Sequence, residues 1–443
     1  MTHLFHRQTS THMPVAVSGH GPYVVDAAGK HYLDACGGAA VSCLGHDHAA
    51  VKEAIKQQLD HIAWAHSGFF SSPPAEELGT LLANLAPGDI NHVYLLSGGS
   101  EAVEAALKLA RQFHLERGAT EKSEIIARRQ SYHGNTLGAL AAGGNIPRKQ
   151  PFLPLMSANM HHISPCYYWR WAEAGESEFD YGQRMANELA DKIQELGAEN
   201  VAAFIAEPVV GATLGAVPAV DGYFARIREI CDQNDVLLIL DEVMCGMGRT
   251  GYLFASEYDR ITPDIACIAK GLGAGYQPIG AMLCHQRIYN AIEQGSGFFQ
   301  HGHTYLAHAA AAAGALAVMT EISSPAMLAQ VHDTGQSLFN RLQESFGQHP
   351  FIGDIRGRGL FWGLEFVADR ETKAAFDPNH KLAKKLKQIA FDRGLMIYPM
   401  SGTVDGIEGD HVLLAPPYIF DDSHLDELID KLQLTVDDAI AQL

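Results

Sequence analysis

The sequence predicts an α/β architecture, a large unit whose mostly parallel central sheet is flanked by helices, joined to a smaller α+β unit. Three observations predict it. Over residues 91–285, short aliphatic runs ("HVYLL", "SEIIAR", "VAAFIAEPV", "VLLILDEV", "DIACIAK", "PIGAMLCH") alternate with helical patterns. Strands that read as unbroken apolar runs belong to parallel sheets covered on both faces. Past a helix expected over 307–322, the pattern changes to "IRGRGLFWGLEFV", a helical stretch over 381–393, "HVLLAPPYI" and a closing helix, the signature of an α+β unit. Within it "GRGLFWGLEF" alternates and predicts a half-solvated antiparallel strand. Near the start, "GPYVVDAAGKHYLDACGG" places the turn "DAAGK" between two apolar runs, a hairpin assigned to the smaller unit. The organisation is therefore 1–60, an N-terminal segment packing with the small unit; 61–322, the large unit; and 323–443, the small unit. No low-complexity linker separates them, so a wide shared interface is expected.

Composition narrows the function classes. At 443 residues and 47% hydrophobic content the chain can bury a sizeable core. Its 32 Lys+Arg against 51 Asp+Glu give −19, with no basic run, which argues against a nucleic-acid partner. The first residues lack a charged-then-apolar signal pattern, and no apolar stretch approaches the ~18 residues of a membrane span. "AHAAAAAGALAVM" comes nearest and reads as a buried helix. Seven cysteines without C-x-x-C spacing argue against a disulfide framework or a cysteine zinc site and fit a reducing, cytoplasmic setting.

Three stretches carry chemistry. In "LLSGGSEAVEAALKLAR" a strand ends in Ser97-Gly98-Gly99-Ser100 and an amphipathic helix begins at once. Glycine backbone, a serine hydroxyl and a helix N-terminus together can cradle a phosphate; the plain alternative is a strand-to-helix turn with Ser100 as N-cap. In "LLILDEV" four aliphatic residues stop on Asp241, where a buried carboxylate is costly unless paired or capping a turn. Lys270 ends the next apolar strand, in "DIACIAKGLGAGYQPIGA". Ligands of open α/β sheets sit beyond the carboxyl ends of the strands. If the two strands are neighbours, Asp241 and Lys270 share one crevice, as a salt bridge or as a pair of functional groups.

These stretches in this order, with "GPYVVDAAGKHYLDACGG", Gly45-His46, "SYHG", "AEPV", "GRTG", "HTY" and "RGRGL", resemble class III (omega-type) aminotransferases over nearly the whole chain. Those are fold type I enzymes that use pyridoxal 5'-phosphate. The resemblance implies that Lys270 forms the Schiff base with the cofactor and moves protons, while Asp241 pairs with the pyridine nitrogen so that the ring accepts electrons. It implies that Gly99 and Ser100 hold the phosphate, that Tyr132 and Val243 cover the two ring faces, and that His133 and Glu207 stand beside the cofactor. Thr304 would reach the phosphate of the neighbouring subunit's cofactor, which requires a homodimer or a tetramer built from it. Arg249 of "GRTG" is read as a structural residue.

One departure bears on substrate. Relatives acting on α-amino acids carry an Arg before "LAPP", where this chain has Leu413, and no Arg follows Arg393. An Arg fork is the best partner for a carboxylate. The reading is therefore transfer of an amino group from an amine or omega-amino donor to a keto acid, pyruvate foremost. Another pyridoxal phosphate reaction (racemisation, decarboxylation, amino-group migration) is the alternative. Trp64, Phe69, Phe70, Tyr167, Tyr168 and Trp169 are candidates to line an apolar pocket or to pack.

Other classes fit less well. A dinucleotide fingerprint would need Gly at position 276, which is Tyr. The pairs His46/His48, His161/His162 and His301/His303 lack an H-E-x-x-H frame, so no metal site is expected. A non-catalytic scaffold would have no chemical use for Lys270.

Overall fold

The computed structural model describes residues 3–11 and 13–443. Its strands in chain order are β1 (Ala16–His20), β2 (Tyr23–Asp26), β3 (His31–Asp34), β4 (Ile90–Leu96), β5 (Glu124–Arg128), β6 (Met160–Ile163), β7 (Val201–Ala206), the short pair β8 (Val209–Val210) and β9 (Val217–Pro218), β10 (Leu237–Asp241), β11 (Ile265–Ile268) and β12 (Gly280–His285). They continue with β13 (Ile352–Arg358), β14 (Phe361–Phe366), β15 (Leu395–Met396), β16 (Tyr398–Ser401) and β17 (Asp410–Leu414).

The seven-stranded central sheet runs β4-β12-β11-β10-β7-β5-β6. Only β12 is antiparallel to its neighbours, β4 and β11, so the other strands share one direction. Both faces are covered, as the unbroken apolar runs require. In β10, Leu237 and Ile239 pack with Ala102, Val103 and Ala106 of the helix Gly99–Glu116. Leu238 and Leu240 pack the other way, against the helices Glu178–Leu196 and Tyr223–Gln233. Each of these aliphatic side chains contributes about 1.5–3 kcal/mol on burial. The period of two then sends Asp241 to the face of Leu237 and Ile239. That is the face from which the helix Gly99–Glu116 presents its N-terminus.

The expected strands all form, but β6 was not anticipated. "MHHI" is a short, polar strand at the sheet's edge, paired among the described residues only with β5, and it lacks the apolar run that marked the expected strands. The helix expected over 307–322 is Ala309–Ile322, almost wholly buried against Ala49–His61 and Pro73–Leu85. Its small residues let neighbouring helices approach. No single helix among the described residues is long and apolar enough to cross a membrane.

A second sheet, β13-β14-β17-β16, is antiparallel, with the helices Pro325–Phe346, Leu382–Asp392 and Asp422–Ile440 beside it. The N-terminal hairpin forms as expected: β1, β2 and β3 make a meander whose β3 pairs in parallel with β15, Leu33 against Leu395. The early segment is thus bound to the late one. One expectation is corrected. β14, read as half-solvated, is buried at every residue. Leu364 and Phe366 enter the main core, while Phe361 packs the other way with Leu413, Ala212 and Met244. The loop around Gly215 covers that second face so closely that a Cβ on Gly363 would lie 1.9 Å from the Gly215 carbonyl oxygen. Arg356 locks the contact by donating Nε–H to the Gly215 carbonyl at 2.9 Å and a second N–H to the Leu214 carbonyl.

Candidate active site

The tips of β4, β10 and β11 close on a cavity of about 290 Å³. Its walls include Ser97, Gly98, Gly99, Ser100, Tyr132, His133, Glu207, Asp241, Val243 and Lys270. Among the described residues, no side chain caps the first turn of the helix Gly99–Glu116, and Gly98, extended, is its N-cap. The alternative role of Ser100 as N-cap is therefore overturned. Its hydroxyl instead accepts the Asn135 N–H at 3.0 Å. Gly99 is required by close approach, since a Cβ there would meet Val243 Cγ1 at 2.7 Å. Glycine thus brings an uncapped, partly positive helix terminus to the cavity wall.

Asp241 and Lys270 do share one crevice. β10 and β11 are adjacent and parallel, with Asp241 level with Cys267, so Lys270 emerges just beyond the neighbouring tip. Asp241 has partners within the protein itself. His133 donates its Nδ1–H to Oδ2 at 2.8 Å and the Val243 N–H reaches Oδ1 at 3.1 Å. An ionised carboxylate only accepts, which fixes that proton on Nδ1. Among the described residues His133 Nε2 is buried without a hydrogen-bond partner.

Lys270 has a backbone φ of +45°, in the left-handed region a non-glycine residue rarely adopts. Such a conformation costs about 1–3 kcal/mol and persists only where the surroundings impose it. Among the described residues its amine has no ion pair or hydrogen-bond partner. Burial pushes the ammonium down to about 8, with the charges of Asp241 and Glu207 opposing. At neutral pH roughly a tenth of such amines are uncharged, against less than one in a thousand for an ordinary lysine.

Glu207 holds the opposite wall. Its carboxylate accepts the Tyr132 N–H at 3.1 Å and the Gly211 N–H at 2.9 Å. Burial raises its pKa, His133 lowers it and Asp241 raises it further. Tyr132 and Val243 both line the cavity, Val243 against the Gly99 turn. Two residues singled out in the sequence lie elsewhere. Thr304 sits exposed in a turn and does not line the cavity of its own chain. Arg249 is buried, donating to the Leu360 carbonyl at 3.0 Å and the Pro416 carbonyl at 2.5 Å, over the Tyr418 ring.

None of the six aromatic candidates lines this cavity. Tyr167, Tyr168 and Trp169 border a separate cleft with Arg356 and Arg358. Phe69 and Phe70 are exposed, and Trp64 stacks edge-on with Tyr305 at 5.7 Å. Walls that the sequence did not announce come from Val41, Ala212, Met244, Pro278 and Ile279, small or apolar residues without a motif, and from the polar Gln277. Within the histidine pairs, His46 meets Asp34 at 3.2 Å and His161 meets Glu124 at 2.6 Å, separate carboxylates, while His301 lies 3.4 Å from the Lys108 amine. Among the described residues no group of three or more His, Cys, Asp or Glu side chains is placed to hold a metal ion.

The donor set fits pyridoxal phosphate. An uncapped helix N-terminus suits its phosphate, an unpaired amine its aldehyde, a buried carboxylate its ring nitrogen, and Tyr132 and Val243 its two faces. Comparison with known proteins agrees. The family model for class III aminotransferases matches residues 5–436. An aminotransferase of Schizosaccharomyces pombe is 45% identical over 407 residues, 92% of this chain and 89% of that protein. The putrescine–pyruvate aminotransferase of Pseudomonas aeruginosa is 34% identical over 401 residues, 90% and 85% of the two chains. Among solved structures, the pyridoxamine phosphate (PMP)-bound aminotransferase of Vibrio fluvialis superposes with a TM-score of 0.90 at 33% identity, covering 97% of this chain and 93% of that one. Sequence, fold and cavity chemistry agree, and the chain belongs to the class III aminotransferases, with the fold type I architecture.

Proposed function

We propose that this aminotransferase moves an amino group from an amine or omega-amino donor to a keto acid, pyruvate foremost, and that it works as a homodimer in a reducing, cytoplasmic setting. The observation that carries the reading is the convergence of Lys270, the His133–Asp241 pair and the uncapped Gly99–Glu116 helix terminus on one cavity. When bound, pyridoxal phosphate supplies an aldehyde for primary amines and a ring that takes up the electron pair left by proton removal.

Each side chain then has a task. Lys270 offers an amine already partly uncharged at neutral pH, and the same Nζ carries a proton between substrate and cofactor carbons. Asp241 holds a proton at the ring nitrogen, and His133 fixes the carboxylate's direction from behind. Glu207 anchors the Tyr132 and Gly211 backbone, so the Tyr132 ring keeps its place over one face. Backbone N–H groups at Gly99 and Ser100 bind phosphate oxygens. Leu413, fully buried among Ala212 and Met244, leaves no cation at the position where α-amino acid enzymes carry one, which supports an omega-type donor. A relative named for putrescine and pyruvate is in keeping with that choice.

The exposed Thr304 turn supports the dimer. Tyr305, Phe69 and Phe70 expose 60%, 80% and 69% of their surface, apolar area that a second copy would cover. The seven buried free cysteines support a reducing compartment.

The test is a single-turnover screen, mixing enzyme with one amine at a time and following the cofactor's visible absorbance. Diamines, β-alanine and aryl amines are expected to change it, and pyruvate to reverse the change. Lys270→Ala should lower turnover about 10²–10⁴-fold or more. Reaction confined to α-amino acids would overturn the donor assignment, and full activity in the variant would overturn the role of Lys270.

A further inference from the structure

We infer that Arg148 takes the carboxylate of the substrate, and that it favours donors and acceptors whose carboxylate stands several carbons from the reacting carbon. The inference rests on the aminotransferase reading above. It begins with the arginines around the cavity. Arg128 donates to the Glu207 carbonyl, and Arg249 to the Leu360 and Pro416 carbonyls. Both guanidinium groups are committed to backbone. After Arg393 the chain has no further arginine.

Arg148 differs. It stands in the short helix Ile146–Lys149, its backbone N–H held by Asn145 Oδ1 at 3.3 Å. Its guanidinium lies 4.7 Å from the centre of the Tyr132 ring, and its nearest polar contact is Met400 Sδ at 4.0 Å. Among the described residues it has no carboxylate or carbonyl partner. A half-buried cation facing only an aromatic ring and a thioether is weakly compensated. A carboxylate is its best partner, and the fork geometry of guanidinium matches one bidentately. Around it stand further members of the same cluster: burial raises the Tyr132 hydroxyl pKa, Arg148 and Arg7 act against that rise, and Tyr398 and Asp241 add to it. Arg7 thus brings a second positive charge near Tyr132, opposite in effect to Asp241.

Position sets the substrate class. Tyr132 lines the cavity, and Arg148 lies over its ring. Arg148 itself is not among the walls of the cavity that holds Lys270, so a carboxylate on it stands off from the carbon that reacts there. Omega-amino carboxylates and dicarboxylic keto acids have the reach. Met400 of β16 touches Arg148, and Tyr398, two residues earlier on the same face of the strand, packs with the cavity walls Ala212 and Met244, which gives the intervening methylenes an apolar neighbourhood.

The test compares 5-aminopentanoate with pentylamine, which carries a methyl group in place of the carboxylate, in the wild type, Arg148→Met and Arg148→Lys. For 5-aminopentanoate, kcat/KM is expected to fall about 10- to 100-fold in Arg148→Met, mostly through KM. The ratio of the two substrates should fall by the same order, with Arg148→Lys recovering part of it. Equal losses on both substrates, or none, would overturn the inference. Binding of glutarate to the apoprotein, followed by saturation-transfer NMR, tests Arg148 independently of turnover. Weakening of glutarate in Arg148→Met supports the site, and undiminished binding refutes it. A wild type that reacts with no amine yet loses glutarate binding in the variant would sink the donor assignment and spare Arg148.

Discussion

At the scale of single residues, the cavity depends on one amine held away from its preferred state. An ordinary lysine ionises near 10.4, whereas burial brings Lys270 to about 8. The sign of the stability effect follows. Between about pH 8 and 10.4 the unfolded chain binds more protons than the folded one, so stability of the apoprotein rises with pH through that window. Below it both states are protonated and the fold bears the whole penalty, of the order of 3 kcal/mol. Apo Lys270→Met is therefore expected to be more stable than the apo wild type near neutrality. Urea titrations should show the difference narrowing by about 2 kcal/mol between pH 7 and 9.5. A difference that does not change with pH would mean that the folded amine ionises normally. The same scale shows what the sequence could and could not say about Asp241. A carboxylate ending a buried strand announced that it needed a partner. That His133 supplies one, at 2.8 Å, was not legible, because 108 positions separate the two residues and only the fold brings them together.

At the scale of elements, the turn from β4 into the helix Gly99–Glu116 shows why local pattern was readable there. Glycines and a serine between an apolar run and an amphipathic helix leave little alternative to an open helix terminus. The constraint on Gly99 comes from a different element, since Val243 follows β10 and its Cγ1 would meet an added methyl at 2.7 Å. Gly99→Ala is expected to push the turn outward and raise the dissociation constant for pyridoxal phosphate about 10-fold, overpacking of this kind costing about 1–3 kcal/mol. Adding Val243→Ala should restore most of the affinity, by equilibrium dialysis or fluorescence titration. If the double variant binds no better than Gly99→Ala, the contact is not what fixes the turn. Elements whose burial is supplied by distant chain are the ones the sequence misrepresented. β14 alternates as if one face met water, yet the loop around Gly215 seals it. β6 escaped notice because an edge strand needs no apolar run.

At the scale of the whole molecule, Thr304 is the residue that decides whether the proposed second copy is chemically required. Its turn is exposed and is not part of its own cavity's lining, beside the exposed Tyr305. Nothing in a single chain's sequence encodes the geometry of a partner, which is why this assignment came from resemblance while the juxtaposition of Asp241 and Lys270 in one crevice followed from strand order. Sedimentation equilibrium should give about twice the chain mass of 48.0 kDa. Complementation then separates a shared site from a merely adjacent one. Lys270→Ala homodimers have no reacting amine, and Thr304→Ala homodimers are expected to hold pyridoxal phosphate about 10-fold more weakly through loss of a hydrogen bond to a charged group. Unfolding and refolding the two variants together creates mixed dimers. If Thr304 acts across the interface, the mixed dimer contains one complete site, with Lys270 from one subunit and Thr304 from the other. Random pairing makes half the dimers mixed, so activity at limiting cofactor should return to about a quarter of the wild-type value. If Thr304 served its own chain's cavity, every site would lack one group or the other, and the mixture would show no more activity than its components measured separately.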